Sequence, residues 1–169
     1  MMGNAIRVLD RGGFKMIAHV GYTASSRGLG ILVRRSVPLT INKTWVDTRG
    51  RYVAIAANWR GEKLNVISVY APPRLHDQFL PELGALLLQI PGGRLIMGGD
   101  LNATMSEELD RWPLGHSDTG RLPLQTFVKA LGLLDVWQCH HPSLAQYTFH
   151  SGAHGSLSQI DYLFSHAHQ

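Results

Sequence analysis

The stretch Lys63 to Tyr70 constrains most strongly what this chain can fold into. On a strand, Leu64 and Val66 point to one face and Ile67 and Val69 to the other. A strand apolar on both sides lies inside a layered body rather than at a wet surface. Arg51 to Asn58 reads as its partner, and Arg60-Gly61 as the tight turn of a hairpin. Pro72-Pro73 stops the second strand.

The remaining pattern alternates short strands with two helices. Leu29, Ile31 and Val33 predict a strand, and Arg94 to Met97 a short buried one. Phe79, Leu80, Leu83, Leu86, Leu87 and Ile90 fall on one stripe, which predicts a helix from about His76 to Ile90, closed by Gly92-Gly93. Leu124, Phe127, Val128 and Leu131 predict a second helix over about Leu122 to Leu131, closed by Gly132. Both stripes read as core. Tyr147 to His150 and Ser158 to Phe164 read as the last strands, around the loop Ser151 to Leu157. In the last strand Ser158, Ile160, Tyr162 and Phe164 share one face; Gln159, Asp161 and Leu163 share the other. No repeat, low-complexity tract or linker interrupts this order. The sum is a single α/β domain over residues 1–169, with a mixed sheet and outer helices.

Composition removes several classes. With 44% hydrophobic and 17% charged residues, the chain is globular rather than disordered. One cysteine, Cys139, excludes an internal disulfide and a cysteine-based zinc site. No apolar run reaches membrane-spanning length, and Leu83 to Ile90 is far too short. The start, Met1 to Arg7, has no apolar signal core and no glycine at position 2 for myristoylation. Charge is uneven. Residues 1–60 hold ten basic and two acidic side chains, whereas residues 61–169 hold six and ten. Arginine outnumbers lysine twelve to four. A basic first third suits a nucleic-acid backbone, because guanidinium forks match phosphate oxygens; it also suits a plain solvated surface.

Gly98-Gly99-Asp100-Leu101-Asn102 carries the clearest chemistry. A carboxylate and an amide project two residues apart from the end of a buried strand, after glycines that allow close backbone approach. Such a pair can orient water, or help hold a hard cation, beside a phosphate. It also reads as an Asx turn. Tyr70 ends a central strand, where a phenol can donate to a phosphate oxygen or simply pack as a strand tyrosine. Asp161, between Ile160 and Tyr162, needs a strong hydrogen-bond partner if it is buried. Thr148 lies between Tyr147 and Phe149.

Tyr70-Ala71-Pro72, Gly99-Asp100-Leu101-Asn102 and Ser158-x-Ile160-Asp161-Tyr162 together resemble signatures of the endonuclease/exonuclease/phosphatase superfamily. The stretch Tyr147 to Tyr162 is similar to the endonuclease domain of LINE-type (non-LTR) retrotransposons. Ser26-Arg27-Gly28-x-Gly30-Ile31-Leu32-Val33 and Asp47-x-x-Gly50-Arg51-Tyr52 fit the same branch. The resemblance implies a DNase I-like four-layer α/β sandwich that cleaves phosphodiester bonds in DNA. It implies Mg²⁺ or Mn²⁺ as cofactor, neutralising charge on the phosphate and the leaving group. By the same resemblance Asp100 orients the attacking water, Asn102 helps fix water and phosphate, and Tyr70 contacts the phosphate. Asp161 orients a histidine imidazole, and Thr148 and Ser158 support the pocket. DNA is the implied partner, with a nuclear location if the target is chromosomal. The sequence shows no oligomeric state and no target-site preference.

The family pattern also includes a metal-binding glutamate in a Gln-Glu-Thr stretch and a closing Ser-Asp-His segment. Neither is found here. His166 and His168 lie in Ser165-His166-Ala167-His168, which is a different pattern, and His19, His116, His140 and His141 have no matching context. The expectation is a domain without the family's first strands and final segment, a weakly held cation, and impaired activity. The alternative is an inactive remnant that at most binds nucleic acid. A phosphatase or sphingomyelinase relative is disfavoured by His154-Gly155-Ser156-Leu157-Ser158 leading to Asp161.

Overall fold

The computed structural model describes residues 13–21, 28–115 and 117–166. The readings on Met1 to Arg7, Ser26, Arg27, His116 and His168 lie outside the described residues. Two compact units make up the chain: residues 1–70 with 90–97, and residues 71–89 with 98–169.

The first unit is built from antiparallel strands. β1 (Phe14–Gly21) and β2 (Gly28–Arg34) form a two-stranded ribbon. β3 (Leu39–Val46), β4 (Tyr52–Trp59) and β5 (Glu62–Tyr70) form consecutive hairpins. The first four residues of β6 (Arg94–Asp100) continue that sheet. Ala18, Val20 and Ile31 from the ribbon pack on Val53, Ile55 and Ala57 of β4. Fully burying each larger aliphatic side chain here contributes about 1.5–3 kcal/mol. Ile67 and Val69 are fully buried, and Leu64 and Val66 on the opposite face of β5 are half-buried. The two-faced character of that strand is thus observed.

The β4–β5 turn forms as its residues predict. Arg60 and Gly61 take φ of 53° and 87°, the paired left-handed conformation of a type I′ turn. The Gly61 N–H donates to Asn58 Oδ1 at 2.9 Å. The Asp47-x-x-Gly50-Arg51 stretch is the β3–β4 turn. There Arg51 donates through Nε and Nη2 to the Asp47 carboxylate at 2.8 and 3.1 Å, and through its backbone N–H at 3.0 Å. Burial works against the charged carboxylate, but the Arg51 hydrogen bonds and charge outweigh it, so the Asp47 pKa is lowered.

The second unit holds the helices. α1 (His76–Gln89) and α3 (Arg121–Ala130) pack together through Phe79, Leu80 and Leu83 on one side and Leu124, Phe127 and Val128 on the other. Both helices lie within a residue of their predicted bounds. Between α1 and β11 run the end of β6, α2 (Glu107–Asp110), β7 (Arg111–Trp112), α3, β8 (Leu133–Asp135) and α4 (Val136–His140). The end of β6 lies beside β11 (Asp161–His166), which pairs with β8; β7, β10 (Ser156–Ser158) and β9 (Phe149–Ser151) form a separate three-stranded sheet.

The last segment corrects the sequence reading. Ser158 to Phe164 is not one strand: Ser158 closes β10, Gln159 and Ile160 leave the ladder, and Asp161 opens β11 in the other sheet. Ser158 and Gln159 are buried in succession, so strict alternation fails there. The cause is tertiary: Ser158 pairs with both Arg111 and Phe149, while the Gln159 N–H donates to the Asp110 carbonyl at 2.8 Å. The strand expected at Tyr147 to His150 begins two residues later, at Phe149.

Candidate active site

The site lies in the second unit, where β6 ends and β11 begins. The Leu101 N–H donates to the Ile160 carbonyl at 2.8 Å, tying the two segments beside their carboxylates. Gly98 allows this approach. A Cβ on it would lie 3.1 Å from Leu163 Cδ1 and 3.3 Å from the Tyr162 carbonyl oxygen. Gly99 takes φ 142°, which favours glycine.

The loop after β6 is pinned from several directions. The Asp100 carbonyl accepts from the Ala71 N–H at 2.8 Å, and Asp100 Oδ1 accepts from the Asn102 N–H at 2.8 Å. That second bond is the Asx turn of the sequence reading. Asn102 is left-handed, with φ 48°, and its Nδ2 donates to the Ala71 carbonyl at 2.9 Å. His76 Nε2–H donates to the Leu101 carbonyl at 2.8 Å; a carbonyl only accepts, which fixes the tautomer. Sequence reasoning missed His76. A Cβ at Gly120 would sit 2.6 Å from its ring, so glycine there makes the ring's room.

Asp100 is half-buried and Asp161 is exposed. Burial raises the Asp100 pKa, and the negative charge of Asp161 raises it further against the opposing Asn102 N–H. The two carboxylates therefore sense each other. Asp161 is exposed, so the condition under which burial would demand a strong hydrogen-bond partner does not arise. Among the described residues no imidazole hydrogen-bonds to it, so its implied role in orienting a histidine has no partner there.

The supporting residues are placed as follows. Thr148 Oγ1 accepts from the Ile160 and Asp161 N–H groups at 3.1 and 3.2 Å, which fixes the backbone that presents Asp161. The Ser158 carbonyl accepts from the Thr148 N–H at 3.0 Å, and its hydroxyl faces Arg111 Nε at 3.4 Å. Ser158 thus anchors β10. Tyr70 ends β5 in the first unit, its N–H bonded to the Arg51 carbonyl at 2.8 Å. The structure brings Asp100, Asn102, Asp161 and Thr148 together, and holds Ser158 one link back.

Asp100 and Asp161 offer carboxylate oxygens, and Mg²⁺ typically takes one or two carboxylates and fills its shell with water and substrate phosphate. Among the described residues no group of three or more His, Cys, Asp and Glu could hold a metal ion. The residues fit a weakly held cation completed by substrate, not a closed protein cage. A cleft of about 470 Å³ between α1 and α3 is lined mainly by apolar residues such as Leu80, Pro81, Phe127 and Leu131, together with His76 and Asp77.

In the first unit, the two acidic side chains described, Asp47 and Glu62, are engaged with Arg51 and Arg94. Cations also sit over aromatic rings: Lys43 over Trp45 at 4.8 Å, and Arg60 over Trp59 and Arg34 over Phe14 at 5.5 Å.

The model of the endonuclease/exonuclease/phosphatase family matches residues 4–168, and the chain belongs to that family. Its fold is that of solved members. An AP endonuclease, LMAP, from Leishmania major is 15% identical, with TM-score 0.74 over 92% of this chain and 62% of that one. An AP endonuclease from Archaeoglobus fulgidus is 17% identical, with TM-score 0.68 over 95% and 69%. The endonuclease domain of TRAS1, a telomere-specific non-LTR retrotransposon, is 18% identical, with TM-score 0.65 over 96% and 77%. The chain thus spans 62–77% of the length of these structures. The α/β, DNase I-like fold class read from the sequence stands.

Proposed function

We propose that this chain is a divalent-metal-dependent DNA endonuclease of the retrotransposon type, which nicks target DNA by phosphodiester hydrolysis. One observation carries the reading: Asp100, Asn102 and Asp161 converge where β6 and β11 meet, with Asp100 made a better proton acceptor by burial and by Asp161. A carboxylate of raised pKa suits the group that receives a proton from an attacking water. Its Asx turn fixes the acceptor before substrate arrives. Asn102, held in a left-handed turn by Ala71, would steady the water and phosphate. Tyr70 would contact the phosphate. Asp161 would help hold Mg²⁺ or Mn²⁺, which when bound neutralises charge on the phosphate and the leaving oxygen. The basic first unit supports DNA as partner, and chromosomal DNA as target would place the protein in the nucleus.

The test is nicking of supercoiled plasmid by purified protein, with and without Mg²⁺. Metal-dependent nicking abolished by EDTA and by Asp100→Asn upholds the reading. Salt-dependent DNA binding without nicking overturns it in favour of the binding-only remnant. Turnover of a phosphomonoester or phospholipid instead moves the substrate class.

A further inference from the structure

We infer that Tyr162 and Asp110 form the positioning pair of this site, holding the bend at Gln159-Ile160 to the loop after Asn102 and so setting the spacing of Asp161 from Asp100. The inference rests on the functional reading above and adds residues that touch neither substrate nor metal.

Both side chains are buried, Asp110 at 2% and Tyr162 at 5% exposure. The Tyr162 hydroxyl accepts from the Met105 N–H at 2.9 Å. Its one proton faces two acceptors, Asp110 Oδ2 at 3.0 Å and the Gln159 carbonyl at 2.9 Å. Asp110 Oδ2 also accepts from the Met105 and Ser106 N–H groups at 2.8 and 2.7 Å. The Asp110 carbonyl accepts from the Gln159 N–H. Thus the N–H and the carbonyl of Gln159 are both held by the pair, two residues before Asp161. On the other side the pair grips Met105 and Ser106, just beyond Asn102.

The other anchors of this segment leave that job open. β11 pairs with β8 only from Phe164 onward, and β10 stops at Ser158. Between them the Ile160 carbonyl and Thr148 hold backbone, but no other side chain joins the bend to loop 101–106 in the hydrogen bonds of the described residues. A charge-assisted buried network of this kind is rigid, and its loss is felt at whatever it orients.

The test uses the full chain with Tyr162→Phe, Asp110→Asn and Asp110→Ala. Phenylalanine keeps the ring stacked on Phe164, at 5.4 Å between centroids, and removes only the hydroxyl. The expected result for Tyr162→Phe is a fall in nicking kcat of about tenfold, with KM for DNA and melting temperature little changed. Asp110→Asn, whose amide oxygen still accepts from Met105 and Ser106, retains more kcat than Asp110→Ala. Amide hydrogen exchange at Met105 and Gln159, which needs no activity, speeds up in Tyr162→Phe. Unchanged kcat, a change in KM alone, or unchanged exchange overturns the inference. If the parent chain does not nick, the functional reading fails, and exchange alone decides the linkage. If Tyr162→Phe does not fold, the same readouts on Asp110→Asn decide.

Discussion

Asp47 and Asp100 are the same residue type in the two units, and their surroundings drive them in opposite directions. Asp47 meets a buried guanidinium that answers both its oxygens, and its pKa is lowered. Asp100 is raised first by burial and then by the field of a second carboxylate, with only Asn102 hydrogen bonds opposing. The first unit spends its buried charge on closing a turn. The second leaves a half-buried charge undercompensated at Asp100, as it also does at the helix N-cap Asp135, so the raised pKa marks Asp100 as a site candidate only together with its place beside Asp161 and Asn102.

The contrast breaks most sharply at Asp100. Asp100→Asn is expected to lower plasmid nicking by about 10²–10⁴-fold. The same change should raise the melting temperature at neutral pH, since it removes a carboxylate that is costly to ionise. Loss of both activity and stability would make Asp100 structural. Arg51→Ala should do the reverse: it leaves Asp47 buried and unpaired, costing about 3–5 kcal/mol in urea unfolding. The kcat of the fraction still folded should hold.

Urea unfolding across pH sharpens the comparison through sign. The Asp47 contribution is present above its unfolded value of 3.8 and is lost as pH falls through its lowered folded value. The Asp100 contribution is present below 3.8 and is lost as pH rises through its raised folded value. Parent minus Asp47→Asn stability should therefore shrink in acid, and parent minus Asp100→Asn stability should shrink away from acid. Parallel curves would erase the distinction. The smallest effect is expected at Gly61, where φ is 87° and a side chain strains the turn. Gly61→Ala should cost about 1 kcal/mol with no change in nicking.

What was legible in the sequence was local. The β4–β5 hairpin and both long helices follow from turn residues and apolar spacing, which act over a few positions. β3 was not read, because Lys43 and the bulge between Ile41 and Lys43 interrupt the alternation of Leu39, Ile41 and Trp45, and most of the strand is exposed. The break between Ser158 and Asp161 was hidden by an alternation that continues across it; partners distant in sequence, among them Asp110, 49 residues upstream of Gln159, bend the chain there. For the same reason Asp110 and Tyr162 went unnoticed, since their hydrogen bond spans 52 positions. Asp100 and Asn102 were readable because glycines, carboxylate and amide sit within five residues. His76 was not, since its only announcement is a ring inside a helix start and a distant glycine that makes way for it.

Gly98 has a practical corollary. With a neighbouring side-chain carbon 3.1 Å from where its own would begin, this position works as a shim slot between two chain segments. Alanine, serine and valine placed there would crowd the Tyr162 carbonyl by increasing amounts, and the nicking measured along that series would gauge how much displacement of Asp161 the proposed site tolerates.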